Sequence, residues 1–213
     1  MTDTEVTSID FFDPGTALDA LIGDWRDLGE YLSTTPGFRA ARLHRALEPD
    51  TRFTVTDYTL WDSAETAAGA LDHPRREAWL DRLGDGIHRG TAVYRTVHDI
   101  GPATEREFDG PGVTFMNVFE IAPDAADAFA VGWDTRARFM STAPGFRHAR
   151  LHRALDATAT FQLVNIAHWD TVAQWRDALD RPTMVAARAQ ARTVATANPA
   201  VYELIAEILG PAA

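Results

Sequence analysis

The chain has 213 residues, a net charge of −11, no cysteine and no lysine, so all 20 basic residues are arginine. These absences exclude disulfides, thiolate chemistry, cysteine-ligated metals and Schiff-base catalysis by lysine. The acidic balance argues against a nucleic-acid partner and against anionic membrane surfaces.

No run of about eighteen apolar residues is present, so no membrane span is expected. The N-terminal stretch MTDTEVTSID lacks the basic and apolar regions of a signal peptide, and a cytoplasmic location is expected.

The twelve residues PGFRAARLHRAL, from Pro36 to Leu47, recur as PGFRHARLHRAL from Pro144 to Leu155. Sliding the chain on itself by 108 residues aligns Ile9–Asn117 through Ile100–Ile208 without a gap, with about 30 of 92 positions identical. Two copies are too few for a solenoid and indicate two homologous domains. The expected boundaries are 1–100 for the first repeat, 101–113 for a Gly- and Pro-rich linker, and 114–213 for the second repeat.

Taken in chain order, the second copy opens with a strand over Thr114–Ile121. A helix follows from Ala122-Pro123-Asp124 to about Ser141, with Phe129, Trp133, Arg136 and Met140 at helical spacing. Pro144-Gly145 is a turn, and Phe146–Leu155 and Thr160–Trp169 alternate as strands. Asp170-Thr171 caps a helix that Pro182 interrupts, and a second segment continues to about Val194. A strand over Pro199–Leu209 closes the unit. The first copy reads in the same order.

This is the β-α-β-β-α-β pattern of a ferredoxin-like unit, and the fold class is α+β. A sheet with helices on one face needs cover on the other. The expectation is that the two antiparallel sheets pair within the chain, as an intrachain dimeric α+β barrel. Such a pseudo-dimer is a monomer or pairs again as a homodimer.

The TPGFRAARLHRAL stretch and the strand that follows it in each copy resemble the antibiotic biosynthesis monooxygenase family of dimeric α+β barrels. In the second copy, FQLVNIAHWDTVAQW is similar to the cofactor-independent, quinone-forming anthrone oxygenases of that family. The resemblance implies catalytic roles for Asn165, Trp169 and Arg188, with Trp175 in the substrate site. Tyrosines that the family carries are replaced here by Ile166 and Trp175.

The first copy departs from this pattern, with Asp57, Ala67 and Leu80 at the matching places, and it is expected to be structural. Haem-degrading relatives of the fold have an Asn that Asn117 matches, but Ala178 and Arg188 stand where their Trp and axial His would be.

The residues themselves leave alternatives open. Phe161, Leu163, Asn165, Ala167 and Trp169 share one strand face. Asn165 is either a core amide satisfied by backbone or an amide aimed at a ligand. Trp169 is core, ligand contact or both, and Arg188 is solvated or turned inward. Asp57, with Tyr58 and Trp61, forms an alternative site in which the carboxylate serves as a base. His148 and His152 have a metal-like spacing, but four residues along a strand span roughly 13 Å and cannot share one ion.

No phosphate loop, serine elbow, metal cluster or nicotinamide or flavin fingerprint is present. The expected substrate is a small polycyclic aromatic molecule held among Trp133, Phe139, Trp169, Trp175 and Met184. Molecular oxygen is the expected co-substrate, with no metal or other cofactor. Reduced flavin as a cofactor, a cyclase using Asp57 or a histidine, and a non-catalytic binding protein are the competing readings.

Overall fold

The computed structural model describes residues 5–84, 86–101 and 111–210. Residues 102–110, which make up most of the expected linker, lie outside the described residues. The first repeat contains β1 (Val6–Phe12), α1 (Leu18–Leu32), β2 (Phe38–Ala46), β3 (Val55–Trp61), α2 (Ala64–Leu71), α3 (Pro74–Leu83) and β4 (His88–Ile100). The second contains β5 (Val113–Glu120), α4 (Ala126–Met140), β6 (Phe146–Ala154), β7 (Leu163–Trp169), α5 (Val172–Leu179), α6 (Pro182–Ala191) and β8 (Thr196–Leu209).

Two compact units result, residues 1–95 with 204–213 and residues 96–203. In the first unit β1 pairs with β3 and β4, and β3 with β2, all antiparallel. In the second, β5 pairs with β7 and β8, and β7 with β6. The chain is therefore α+β with two ferredoxin-like repeats, as its sequence pattern predicts. Among the described residues no helix is long and apolar enough to cross a membrane.

Each unit buries one face of its sheet under its own helices. In the second, Phe119, Leu163 and Trp169 pack against Phe129, Trp133 and Met184. In the first, Phe12, Leu43 and Trp61 pack against Trp25, Leu28 and Trp79. Removing such side chains from water is the main stabilising contribution, about 25 cal/mol per Å².

The break between α5 and α6 follows from proline. Arg181 is held extended (ψ 135°) and Pro182 opens the new helix, where its missing N–H costs no hydrogen bond. Thr171 caps α5 by accepting from the Gln174 N–H at 3.2 Å.

The twin PGFR stretch is scaffold. Gly37 and Gly145 take φ values of 79° and 80°, where a side chain is strained. A Cβ on Gly145 would also fall 2.4 Å from the Gln174 side chain, and one on Gly37 would fall 2.6 Å from Thr66. Each glycine carbonyl accepts a 2.8 Å bond, from the Asp62 and Asp170 N–H respectively. Turn, strand and following helix thus lock together identically in both repeats.

Several expected boundaries move. Helix α4 starts at Ala126, after a turn, and not at Ala122-Pro123-Asp124, and no side chain caps it. Strand β7 starts at Leu163, helix α6 stops at Ala191, and β8 begins at Thr196 and passes through Pro199.

The gap-free alignment also fails at the first strand. Val6 pairs with Trp61, and Val113 with Trp169. The offset there is 107, so Asp10, not Ile9, is the counterpart of Asn117. The extra residue sits between β5 and α4. A one-residue slip matters because it exchanges the two faces of a strand.

Candidate active site

Alternation along β5 and β7 aims Phe115, Asn117 and Phe119, and Asn165, Ala167 and Trp169, towards the helices of the second unit. Helix α4 answers with Trp133, Arg136, Ala137 and Met140, one helical face. Between them lies a cavity of about 150 Å³, closed further by Trp175 of α5 and by Met184 and Arg188 of α6.

The walls are mostly apolar and aromatic. Trp175 lies over Phe115 with ring centres 4.9 Å apart, and Phe146 meets Trp169 edge-on at 5.3 Å.

The polar groups are few and have no partners in the protein. Asn117 and Asn165 face each other as register partners. The side-chain oxygen of each is buried and unpartnered, as is the indole N–H of Trp175. A buried polar group without a partner costs about 1–3 kcal/mol, which a ligand that pairs with it returns. The cavity therefore presents two unpartnered amide oxygens side by side and one unpartnered indole N–H, set in an aromatic box. That arrangement suits a planar ring system bearing hydroxyl and carbonyl groups.

Three arginines border the space, Arg136, Arg188 and the exposed Arg192. Arg188, in the last turn of α6, is half-buried and lines the cavity. Arg136 is half-buried, with its guanidinium 5.0 Å from the centre of the Phe129 ring. Burial lowers the Arg136 pKa from its ordinary value. The lining contains no Asp, Glu or His. Among the described residues no group of three or more His, Cys, Asp or Glu could hold a metal ion.

The structure thus gathers Asn165, Trp169, Arg188, Trp175, Trp133 and Met184 around one space. Phe139 is not among the lining residues; on α4 it falls off the face formed by Trp133, Arg136 and Met140, and Arg181 stacks on it at 5.5 Å. Asn117 and Arg136 complete the site. Alternation marked the first only once the strand register was known. Helical spacing put the second on the apolar face without giving it a role.

The counterpart in the first unit is a small space of about 10 Å³ bordered by Asp10, Asp57 and Trp61, with room for about one water. Trp79, where the second repeat has Ala187, and Arg76, where it has Met184, fill the rest. Tyr58 lies on the opposite face of β3, buried, and its hydroxyl accepts from Thr7 at 3.3 Å. The Trp61 indole donates to Ser8 at 3.0 Å.

The two carboxylates of this unit behave differently. Burial opposes the charge on Asp10. The Arg76 guanidinium at 2.6 Å, with His88 and Thr91, nevertheless holds Asp10 below the usual carboxylate range. Burial first, and then the charge on Asp10, push Asp57 up to about 8.

Residues 112–190 match the family model for antibiotic biosynthesis monooxygenases. No curated protein sequence matches the chain. Among solved structures, the chain is similar to an anthrone oxidase-like protein at 16% identity, covering 99% of this chain and 98% of that one, with a TM-score of 0.78. It is also similar to SnoaB, a cofactor-independent oxygenase from Streptomyces nogalater, at 26% identity, covering 46% of this chain and 96% of that one, with a TM-score of 0.39. The family-model match thus falls on the second repeat, from the start of β5 to the end of α6.

Proposed function

We propose that the second repeat is a cofactor-independent monooxygenase that oxidises an anthrone-like polycyclic aromatic polyketide to a quinone or hydroxylated product, and that the first repeat is structural. The observation that carries this reading is the set of unpartnered atoms in the aromatic cavity, the oxygens of Asn117 and Asn165 and the indole N–H of Trp175. The match of residues 112–190 to the monooxygenase family model agrees with it.

The two amide oxygens accept from phenolic hydroxyls of the substrate, and Trp175 donates to its ketone oxygen. When the acidic C–H across the ring loses its proton, negative charge moves onto that oxygen. The Trp175 hydrogen bond then strengthens, so it stabilises the transition state more than the ground state. The proton passes to water, since the lining offers no carboxylate or imidazole.

The enolate next gives one electron to O₂, forming a ring radical and superoxide beside Arg188. Their combination makes the C–O bond of a peroxide. Loss of the second C–H proton and cleavage of the O–O bond release water and leave the new carbonyl. One oxygen atom ends in the quinone and the other in water.

The test is turnover of a dihydroxyanthrone by metal- and flavin-free protein under labelled O₂. One labelled oxygen in the quinone, formed faster than in buffer, is the expected result. A product without label, or one that forms only when reduced flavin is added, overturns the reading.

A further inference from the structure

The strongest observation outside this scheme is Arg136. It lines the cavity from α4, on the same face as Trp133 and Met140. Phe129 covers one side of its guanidinium. The side of Gly132 is open: a Cβ there would stand 3.2 Å from the Arg136 Nη1.

Among the described residues the guanidinium has no hydrogen-bond or ion-pair partner. The nearby carboxylate of α4, Asp134, is engaged instead by Arg138 at 2.7 Å and by His98 at 3.2 Å. A half-buried cation on an apolar wall is costly unless an anion meets it. The first repeat has Leu28 at this place, so the fold itself does not require a charge there.

We propose that Arg136 is a specificity residue that reads an anionic group, a carboxylate in the first instance, carried on the aromatic substrate away from its reacting carbon. The inference rests on the second-repeat cavity being the substrate site. It adds to that reading a substrate class: acidic polycyclic aromatics in place of neutral ones. Stacked on Phe129, the guanidinium presents its N–H edge in one plane, the geometry that pairs with a planar carboxylate.

The experiment titrates the full chain with two non-reacting probes, a dihydroxyanthraquinone and the same ring bearing one carboxylate, followed by quenching of tryptophan fluorescence. The wild type is expected to bind the carboxylated ring about tenfold more tightly or better, with a preference that shrinks as salt is raised. Arg136→Leu is expected to bring the two probes level while still binding the neutral ring, which also shows that the variant is folded. Arg136→Lys should retain part of the preference.

Equal binding of both probes by the wild type overturns the inference and leaves the oxygenase reading standing. So does a preference that survives in Arg136→Leu. Binding of neither probe overturns both. A carboxylate preference lost in Arg136→Leu, in a protein that consumes no O₂ with any anthrone, upholds this inference and sinks the oxygenase reading.

Discussion

Asn117 and Asn165 stand opposite each other on β5 and β7, and each leaves its buried side-chain oxygen without a partner. Their counterparts in the first repeat, Asp10 and Asp57, are also register partners. One pair of positions thus carries two amides facing a cavity in one repeat and two carboxylates in a filled core in the other.

Asn165→Ala and Asn117→Ala should each lower kcat/KM for a dihydroxyanthrone about tenfold or more, the loss of a hydrogen bond to a reacting ring. The two effects should be less than additive, because one substrate bridges both residues. Melting temperatures should move by no more than about 4 °C. A double-mutant cycle on steady-state rates checks this, and full additivity would place the two amides on separate tasks.

Trp175→Phe keeps the ring over Phe115 and removes only the N–H. It should reduce kcat with little change in KM, since the donor matters most once the ketone oxygen carries charge. A raised KM at unchanged kcat would make Trp175 a binding surface alone.

Asp57 predicts a pH dependence of stability. Its folded pKa, about 8, lies above the ordinary 3.8. The folded state therefore holds a proton that the unfolded chain has lost. This contribution is fully present below pH 4, falls away between pH 4 and 8, and is gone above 8. Asp57→Asn should be more stable than the wild type at pH 8, by about 1 kcal/mol or more, with the gap narrowing towards pH 5. Denaturant titrations at the two pH values measure it, and a gap independent of pH contradicts the assignment.

Arg76 and Asp10 form a buried ion pair, with side chains 11% and 5% exposed. Arg76→Met, the residue the second repeat has there, leaves Asp10 charged and under-compensated and should cost about 3 kcal/mol. Adding Asp10→Asn should recover much of that. Chemical denaturation of the single and double variants decides it, and no recovery would mean that Arg76 acts through packing.

How far this site is legible in the sequence differs from residue to residue. Alternation along FQLVNIAHW places Asn165 and Trp169 on one face, and the break at Pro182 brings Arg188 into the same layer. Both follow from strong local rules, a strand's period of two and proline's missing N–H.

Asn117 was hidden because a gap-free repeat pairs it with Ile9. The one-residue shift before α4 appears only in strand register. The exclusion of Phe139 depends on the azimuth of α4, and aromatic content alone suggests the opposite. That Trp175 keeps a free N–H is a statement about what surrounds it, which no spacing in the sequence encodes. The repeated PGFR segment, the most conspicuous feature of the chain, proves to be a turn that holds strand to helix.

The most direct test of the account sets the two repeats against each other. O₂ uptake is recorded with a dihydroxyanthrone and metal- and flavin-free protein, for the wild type, Asn165→Ala and Asp57→Ala. The account predicts uptake well above buffer for the wild type and for Asp57→Ala, and about tenfold less or lower for Asn165→Ala. No uptake above buffer, or uptake lost in Asp57→Ala and kept in Asn165→Ala, would contradict it.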